Sequence, residues 1–344
     1  MSAAWLELLL APVLAFALAL YATPLLRRAA LRYGVVDKPD GALKQHAEPV
    51  AYLGGVAVYL AFLVTTSLVL DFDQRVVGLL LGATMLTMVG LFDDLKVLPA
   101  GAKLIAQLLV VAVAFKSELF IEIEAFPLAL ALPLSVVWLV GVTNAFNIID
   151  VSDGLAAGTA AIAACSFVAI SMASGDQLFA ALNLALLGAT AGFLRVNWAP
   201  ARIYLGDTGS LFIGFVLASL GLLGAYGRGS TATTLAPVLV LIVPILDTTL
   251  VTIARVARGT SPLHGSNDHF AVRLRARGYS AQKVALWSYG LGATGGGLGL
   301  ALVLAPMPAA VPIVGVGAAL FVFTLGWLLA ACPPPAPHSR HPAS

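Results

Sequence analysis

Acidic side chains recur in this sequence at spacings that suit phosphate chemistry. Asp93 and Asp94 are adjacent at the end of an apolar run, and Lys103 follows ten residues after the first of them. On a helix, consecutive side chains point about 100° apart, so both carboxylates can face one site. Two carboxylates beside an ammonium group suit a divalent cation and a phosphate. A solvated helix end is the alternative interpretation of this pair.

A second pattern places polar side chains three residues apart, at Asn144, Asn147, Asp150 and Asp153. Residues three apart on a helix are neighbours, so two amides and two carboxylates would line a single edge. A helix that only fills a core has no use for four polar residues at this spacing. The alternative is that Asp150 and Asp153 cap the next helix.

Asp207 lies between Gly206 and Gly209 at the entrance of another apolar run. Glycines let a backbone approach a ligand closely, and the free N–H groups that start a helix bind anions. We therefore predict that Asp207 is a ligand of a Mg²⁺ ion that bridges to a diphosphate. Capping of the helix by Asp207 or Ser210 is the alternative.

Further candidates surround these motifs. Asp247 falls inside an apolar run behind Pro244, and a carboxylate within the membrane is a functional candidate by default. The other candidates are amide, basic and imidazole side chains at Asn197, Lys44, His46 and His269. We expect the basic and imidazole groups on the same side of the membrane as the carboxylates.

Membrane helices must position these side chains. Of the 344 residues, 60% are hydrophobic and 10% are charged, far from the roughly 45–50% and about 25% of soluble domains. A span needs about 20 apolar residues, which predicts an all-α polytopic membrane protein with eleven transmembrane helices. The runs lie near 4–24, 50–70, 75–92, 102–116, 127–144, 155–173, 178–195, 208–226, 235–254, 284–304 and 309–331. Residues 1–332 are predicted as one membrane domain, and 333–344 as a disordered tail.

Charge placement predicts the orientation. With the N-terminus outside and the C-terminus in the cytoplasm, all but three of the 19 Lys and Arg residues fall on the cytoplasmic side, as the positive-inside rule requires. Every carboxylate singled out above falls there as well, which predicts a polar cleft open to the cytoplasm. The net charge of +2 is too small to indicate nucleic-acid binding.

Taken in order, these motifs resemble those of the polyprenyl-phosphate N-acetylhexosamine-1-phosphate transferases, the glycosyltransferase 4 group of membrane enzymes. The resemblance spans residues 37 to about 277. It is carried by Asp37 with Pro39, Lys44-x-His46-x-x-Pro49, Gly54-Gly55, Asp93-Asp94 with Lys103, Asn144-x-x-Asn147-x-x-Asp150-x-x-Asp153-Gly154, Asn197-x-x-Pro200-Ala201, Gly206-Asp207-x-Gly209-Ser210 and Pro244-x-x-Asp247.

Two positions depart from the family pattern. Val151 stands where the family commonly has Gly, and the segment His269-Phe-Ala-Val keeps only the first histidine of a His-x-His-His cluster. The second departure bears on sugar specificity more than on the fold. The predicted count of eleven helices is closer to the GlcNAc-1-phosphate branch than to the ten-helix muramoyl-pentapeptide branch.

The resemblance implies a Mg²⁺-dependent enzyme, with Mn²⁺ as an alternative ion. It would transfer an N-acetylhexosamine-1-phosphate from a UDP-sugar to polyprenyl phosphate at the cytoplasmic face of the inner membrane, release UMP and start a cell-envelope glycan. The expected metal ligands are Asp207 and Asp93, and the expected catalytic residues are Asp93, Asp94, Asp150 and Asp153. The expected substrate-binding residues are Lys44, His46, Lys103, Asn144, Asn147, Asn197, Asp247 and His269. The expected partners are the UDP-sugar, the lipid carrier and the membrane, and a homodimer is left open.

Two other protein classes also carry acidic groups in membrane helices. Secondary transporters bind near the bilayer midplane between repeated halves, whereas these motifs end helices on one face and the sequence shows no internal repeat. CDP-alcohol phosphotransferases have an Asp-rich signature that this sequence lacks. The sequence leaves open which sugar is used, the length of the lipid, the downstream glycan, and whether Asp93 or Asp94 forms a covalent intermediate.

Overall fold

The computed structural model describes residues 3–37, 50–122, 127–224, 231–261 and 268–332. The helices are α1 (Ala3–Tyr33), α2 (Gly54–Val69), α3 (Gln74–Leu95), α4 (Ala100–Lys116), α5 (Leu128–Ile149), α6 (Leu155–Ser174), α7 (Gln177–Asn197), α8 (Gly206–Leu223), α9 (Ala236–Val240), α10 (Ile242–Ala257), α11 (Phe270–Ala276), α12 (Ala281–Leu304) and α13 (Met307–Ala331). Two antiparallel two-residue strands, β1 (Val36–Asp37) and β2 (Val50–Ala51), lie between α1 and α2. The predicted all-α class is confirmed.

Each of the eleven predicted apolar runs contains a helix. Among the described residues, seven helices are long and apolar enough to cross a membrane, namely α1, α3, α5, α6, α7, α8 and α13. Helices α9 and α10 together would form an eighth span that bends by 70°. The polytopic character is therefore confirmed. The count of eleven also includes α2, α4 and α12, and it stays a prediction.

Two differences from the predicted runs are the largest. Helix α1 continues to Tyr33, nine residues past the predicted end, because arginine is a good helix former and the long side chains there reach the polar interface. The run 235–254 is split after Val240, where Pro244 has no N–H to donate to the Val240 carbonyl. The predicted tail, 333–344, lies outside the described residues.

Helix α8 lies at the centre of the bundle. Every residue from Thr208 to Gly221 is buried, and the helix packs against α2, α3 and α5. A helix that is buried along its whole length is surrounded by neighbouring helices and not by lipid. The start of α8 is therefore held inside the protein, at the ends of the helices that carry the polar motifs.

Glycines allow α2, α3 and α8 to approach closely at these ends. A Cβ atom on Gly55 would overlap the backbone of Gly209, and one on Gly90 would overlap the backbone of Asp207. The Gly55 N–H also donates to the carbonyl of Leu205 at 2.9 Å. Backbones approach this closely only where side chains are absent. The first turn of α8 is thus clamped between α2 and α3.

We expect Gly55→Ala to destabilise the protein by about 1–3 kcal/mol, because overpacking forces the clamped backbones apart. The matched control is Gly326→Ala on α13, where a Cβ meets no described atom within 4 Å and alanine favours the helix by roughly 0.5–1 kcal/mol. Thermal unfolding in detergent measures both variants. Equal midpoints would show that α2 does not touch α8 as described.

Candidate active site

One ammonium group joins two carboxylates at the centre of the site. Lys103 Nζ donates to Asp93 Oδ2 and to Asp207 Oδ2, each at 2.7 Å. The second oxygen of Asp93 accepts from the Leu98 N–H at 2.6 Å. The three charged side chains come from α3, α4 and α8. The structure therefore brings together both predicted metal ligands and one predicted phosphate partner.

Asp94 points away from this group and towards the start of α8. Its Oδ1 accepts from the Asp207 N–H at 2.8 Å, and its Oδ2 accepts from the N–H and the hydroxyl of Thr208 at 3.0 and 2.6 Å. Neighbouring carboxylates on α3 thus have separate partners, whereas the sequence pattern predicted that both would face one site. Thr208 was not among the predicted residues.

The predicted polar edge of α5 divides between two helices. Asn147 Nδ2 donates to Asp207 Oδ1 at 2.9 Å and to Ser210 Oγ at 3.0 Å. Asn144 exchanges hydrogen bonds with Gln107 of α4, at 2.9 and 3.2 Å. The sequence prediction missed Gln107, although it lies four residues after Lys103 and therefore on the same face of α4.

Asp150 follows the last residue of α5 and lies near the same carboxylates. Burial, followed by the negative charges of Asp207 and Asp94, raises the pKa of the Asp150 carboxyl to about 8. Negative charge is therefore crowded at this point of the fold. A cation bound here would relieve that repulsion.

Asp153 and Asn197 join two loops. Asp153 Oδ2 accepts from the Ala201 N–H at 2.9 Å. Asn197 is buried, accepts from the Gly154 N–H at 3.0 Å and donates to the Ile203 carbonyl at 2.9 Å. Both predicted site residues thus hold the α5–α6 loop against the α7–α8 loop.

Asp247 and His269 form a second, separately held pair. Asp247 is fully buried in α10, and His269 is 8% exposed. Asp247 Oδ2 lies 2.9 Å from His269 Nδ1, and Oδ1 accepts from the Phe270 N–H at 2.7 Å. Both carboxylate oxygens therefore engage the segment that starts α11, and the pair fixes the orientation of the His269 ring.

Sequence reasoning missed the ion network beside this pair. Asp268 is fully buried and pairs with Arg258 and, at 3.6 Å, with Arg273. Arg273 also donates to the Cys332 carbonyl at the end of α13, at 2.8 Å. An acidic residue inside a strongly basic segment was the available signal. These bonds anchor α11, and with it His269, to the end of α13.

Lys44 and His46 lie outside the described residues. Asp93, Asp150 and Asp207 supply hard oxygen donors of the kind that Mg²⁺ prefers. The described residues contain no group of three or more His, Cys, Asp or Glu spaced to hold a metal ion alone. Proteins usually hold Mg²⁺ through one or two carboxylates together with phosphates and water, so the donor set fits this ion in company with a phosphorylated substrate.

An apolar cavity of about 510 Å³ runs along α5. It lies between α5, the distal end of α8 and the bent pair α9 and α10. Its walls include Leu134, Trp138, Gly141, Ala145, Gly221 and Ile245. The cavity reaches from Ala145 back to Leu134 on α5 and to Ile121 and Glu122, which precede α5, and none of the side chains of the polar group lines it.

Comparisons with known proteins give this geometry a context. Residues 76–225 match the model of glycosyl transferase family 4. A probable undecaprenyl-phosphate N-acetylglucosaminyl 1-phosphate transferase of Bacillus subtilis (strain 168) is 34% identical over 280 residues, 78% of each chain. A decaprenyl-phosphate N-acetylglucosaminephosphotransferase of Mycolicibacterium smegmatis is 30% identical over 327 residues, 82% of this chain and 79% of the relative.

A third relative belongs to another branch. A phospho-N-acetylmuramoyl-pentapeptide-transferase of Thermoanaerobacter sp. (strain X514) is 33% identical over 242 residues, 63% of this chain and 75% of the relative. The matched segment 76–225 contains Asp93, Lys103, Asn147 and Asp207. The motifs, the fold and the relatives agree that this chain belongs to glycosyl transferase family 4.

Proposed function

We propose that this protein transfers an N-acetylhexosamine-1-phosphate from a UDP-sugar to polyprenyl phosphate and releases UMP. The observation that carries the proposal is the junction of three helices at which Lys103 binds both Asp93 and Asp207. The relatives named as polyprenyl-phosphate sugar-phosphate transferases support it. They do not favour a transporter.

Charge is the main obstacle in this reaction, because a lipid phosphate must attack a diphosphate. Lys103 brings one positive charge to two carboxylates, so the group retains net negative charge that attracts a divalent cation. Asp207 and Asp93 would hold that ion. A bound Mg²⁺ or Mn²⁺ ion supplies neutralising charge at the diphosphate.

The protein residues then align the two anions. The lipid phosphate oxygen forms a bond to the phosphorus next to the sugar, and the bond from that phosphorus to UMP breaks, so that UMP leaves with the electron pair. We assign Asp93 to the lipid phosphate as a proton acceptor. In the alternative route the Asp93 carboxylate first bonds to the phosphorus and UMP leaves, and the lipid phosphate then displaces the Asp93 carboxylate from that phosphorus. We assign Lys103 and His269 to phosphate oxygens and Asn147 to holding Asp207.

The cavity along α5 supports a lipid acceptor. Its walls are largely apolar and lie between helices of the bundle, which suits an isoprenoid chain. The acceptor phosphate would then extend beyond the Ala145 end of the cavity, towards the amides of α5. Basic residues lie near the polar group and favour a site at the cytoplasmic face of the inner membrane. The nucleotide sugar is dissolved in the cytoplasm, on that side.

The direct test uses purified protein, polyprenyl phosphate, Mg²⁺ and a panel of UDP-sugars. We expect UMP release with a UDP-N-acetylhexosamine, and reversal when UMP is added to the lipid product, because one phosphoanhydride replaces another. Labelled UMP should enter UDP-sugar only when lipid substrate or product is present. Exchange with enzyme and UDP-sugar alone would instead indicate a covalent intermediate. No release and no exchange under any condition would refute the proposed reaction.

Asp207→Asn should lower transfer by about 100-fold or more, because it removes a charged oxygen donor and leaves the volume of the side chain unchanged. The matched control is Asp71→Asn, an exposed carboxylate between α2 and α3, which should keep normal turnover. Asp71→Asn should unfold at the temperature of the unmodified protein, and thermal unfolding in detergent checks that Asp207→Asn is still folded at the assay temperature. Near-normal turnover of Asp207→Asn at saturating Mg²⁺ would contradict the metal assignment.

Gly141→Phe should fill the cavity, since a Cβ at Gly141 meets no described atom within 4 Å. We expect the KM for polyprenyl phosphate to rise roughly tenfold, the equivalent of about 1.4 kcal/mol, while the KM for the UDP-sugar stays the same. Gly326→Phe, at an equally open position on α13, is the control. An unchanged KM for the lipid would place the acceptor chain elsewhere.

A further inference from the structure

Helix α8 begins without a cap from its own N-cap residue. Leu205 holds that position and makes no side-chain cap hydrogen bond within the described part of the chain. The first N–H groups of a helix have no intrahelical carbonyl and need another acceptor. In α3, α7 and α12 the N-cap side chains of Asp73, Asp176 and Ser280 provide it.

For α8 the acceptor comes from another helix. Asp94, 113 residues before Asp207 in the chain, receives the Asp207 N–H on one oxygen and the Thr208 N–H and hydroxyl on the other. Negative charge at this end of a helix is also favoured by the helix dipole. Three of the roughly four acceptor positions of a carboxylate are thereby occupied.

The backbone around this contact is built to admit it. Gly206 has φ +72°, and a Cβ there would lie 2.6 Å from a carboxylate oxygen of Asp94. On the facing helix, a Cβ at Gly90 would overlap the Asp207 backbone. Glycine at both positions is therefore what lets the last turn of α3 reach the first turn of α8.

We propose that Asp94 is a positioning residue, which caps α8 and thereby holds Asp207 where its side chain meets Lys103. The two adjacent aspartates then have different tasks. Asp93 acts in the site, while Asp94 places the first turn of α8. The activity part of this inference rests on the proposed transfer reaction, whereas the capping part does not.

The test compares Asp94→Asn with Thr208→Val and Thr208→Ser in the full-length protein. Hydrogen–deuterium exchange at residues 206–209 reports the cap without any substrate. We expect faster exchange in Asp94→Asn and in Thr208→Val, which keeps the carboxylate and loses one donor, and near-normal exchange in Thr208→Ser, which keeps the hydroxyl. Asp93→Asn should leave exchange at these amides unchanged.

Turnover gives the second readout. We expect kcat to fall about 10–100-fold in Asp94→Asn, as for other residues that orient a ligand of the site, and roughly fivefold in Thr208→Val. Thr208→Ser should restore turnover. The double variant Asp94→Asn, Thr208→Val should be no slower than Asp94→Asn alone. The hydrogen bond from the Thr208 hydroxyl to Asp94, which Thr208→Val removes, is already impaired in Asp94→Asn.

Two results would overturn the inference. One is loss of turnover in Asp94→Asn with unchanged exchange at the start of α8. The other is normal exchange and normal kcat in Thr208→Val, which would leave Asp94 free to act on the reacting atoms. If Asp94→Asn does not fold, the two Thr208 variants decide the question. If the unmodified protein transfers no sugar phosphate, the proposed function fails, and the exchange measurements still decide whether Asp94 caps α8.

Discussion

The site depends on one ammonium group shared between two carboxylates. Asp93 and Asp207 approach the same Lys103 nitrogen at 2.7 Å, and without that positive charge they would repel each other. Each belongs to a different helix, so the ion pairs also set the relative positions of the ends of α3, α4 and α8. The glycine contacts between α2, α3 and α8 then allow the helices to approach closely enough for these bonds.

A second set of polar contacts holds the segment that starts α11. Asp247 holds His269, and Arg273 joins Asp268 to the end of α13. Buried charges inside a membrane protein are costly unless they are paired, and here the pairs lie where helices meet connecting segments. Polar groups thus gather at helix ends, while the apolar cavity follows the spans. This division suits a reaction between a dissolved nucleotide sugar and a lipid.

The sequence predicted the helices and the kinds of side chain in the site better than it predicted their partners. Helical periodicity is a local signal, so the apolar runs and the polar edge of α5 were visible in the chain. Asp94 and Thr208 are 114 positions apart, and no periodic pattern connects such residues. For the same reason the exchange of hydrogen bonds between Asn144 and Gln107 was missed. The long α1 was missed because charged residues were taken as the end of a helix.

The length of the apolar cavity determines how much of the lipid carrier the protein contacts. From Leu134 to Ala145 its wall on α5 spans twelve residues, or about 17 Å of helix, which is little more than half of a hydrocarbon core about 30 Å thick. With the acceptor bound as proposed, the protein contacts only the isoprene units nearest the phosphate, and the surrounding bilayer solvates the rest. The cavity as proposed would then recognise the part of the carrier nearest the phosphate and leave the far end of the chain in contact with lipid.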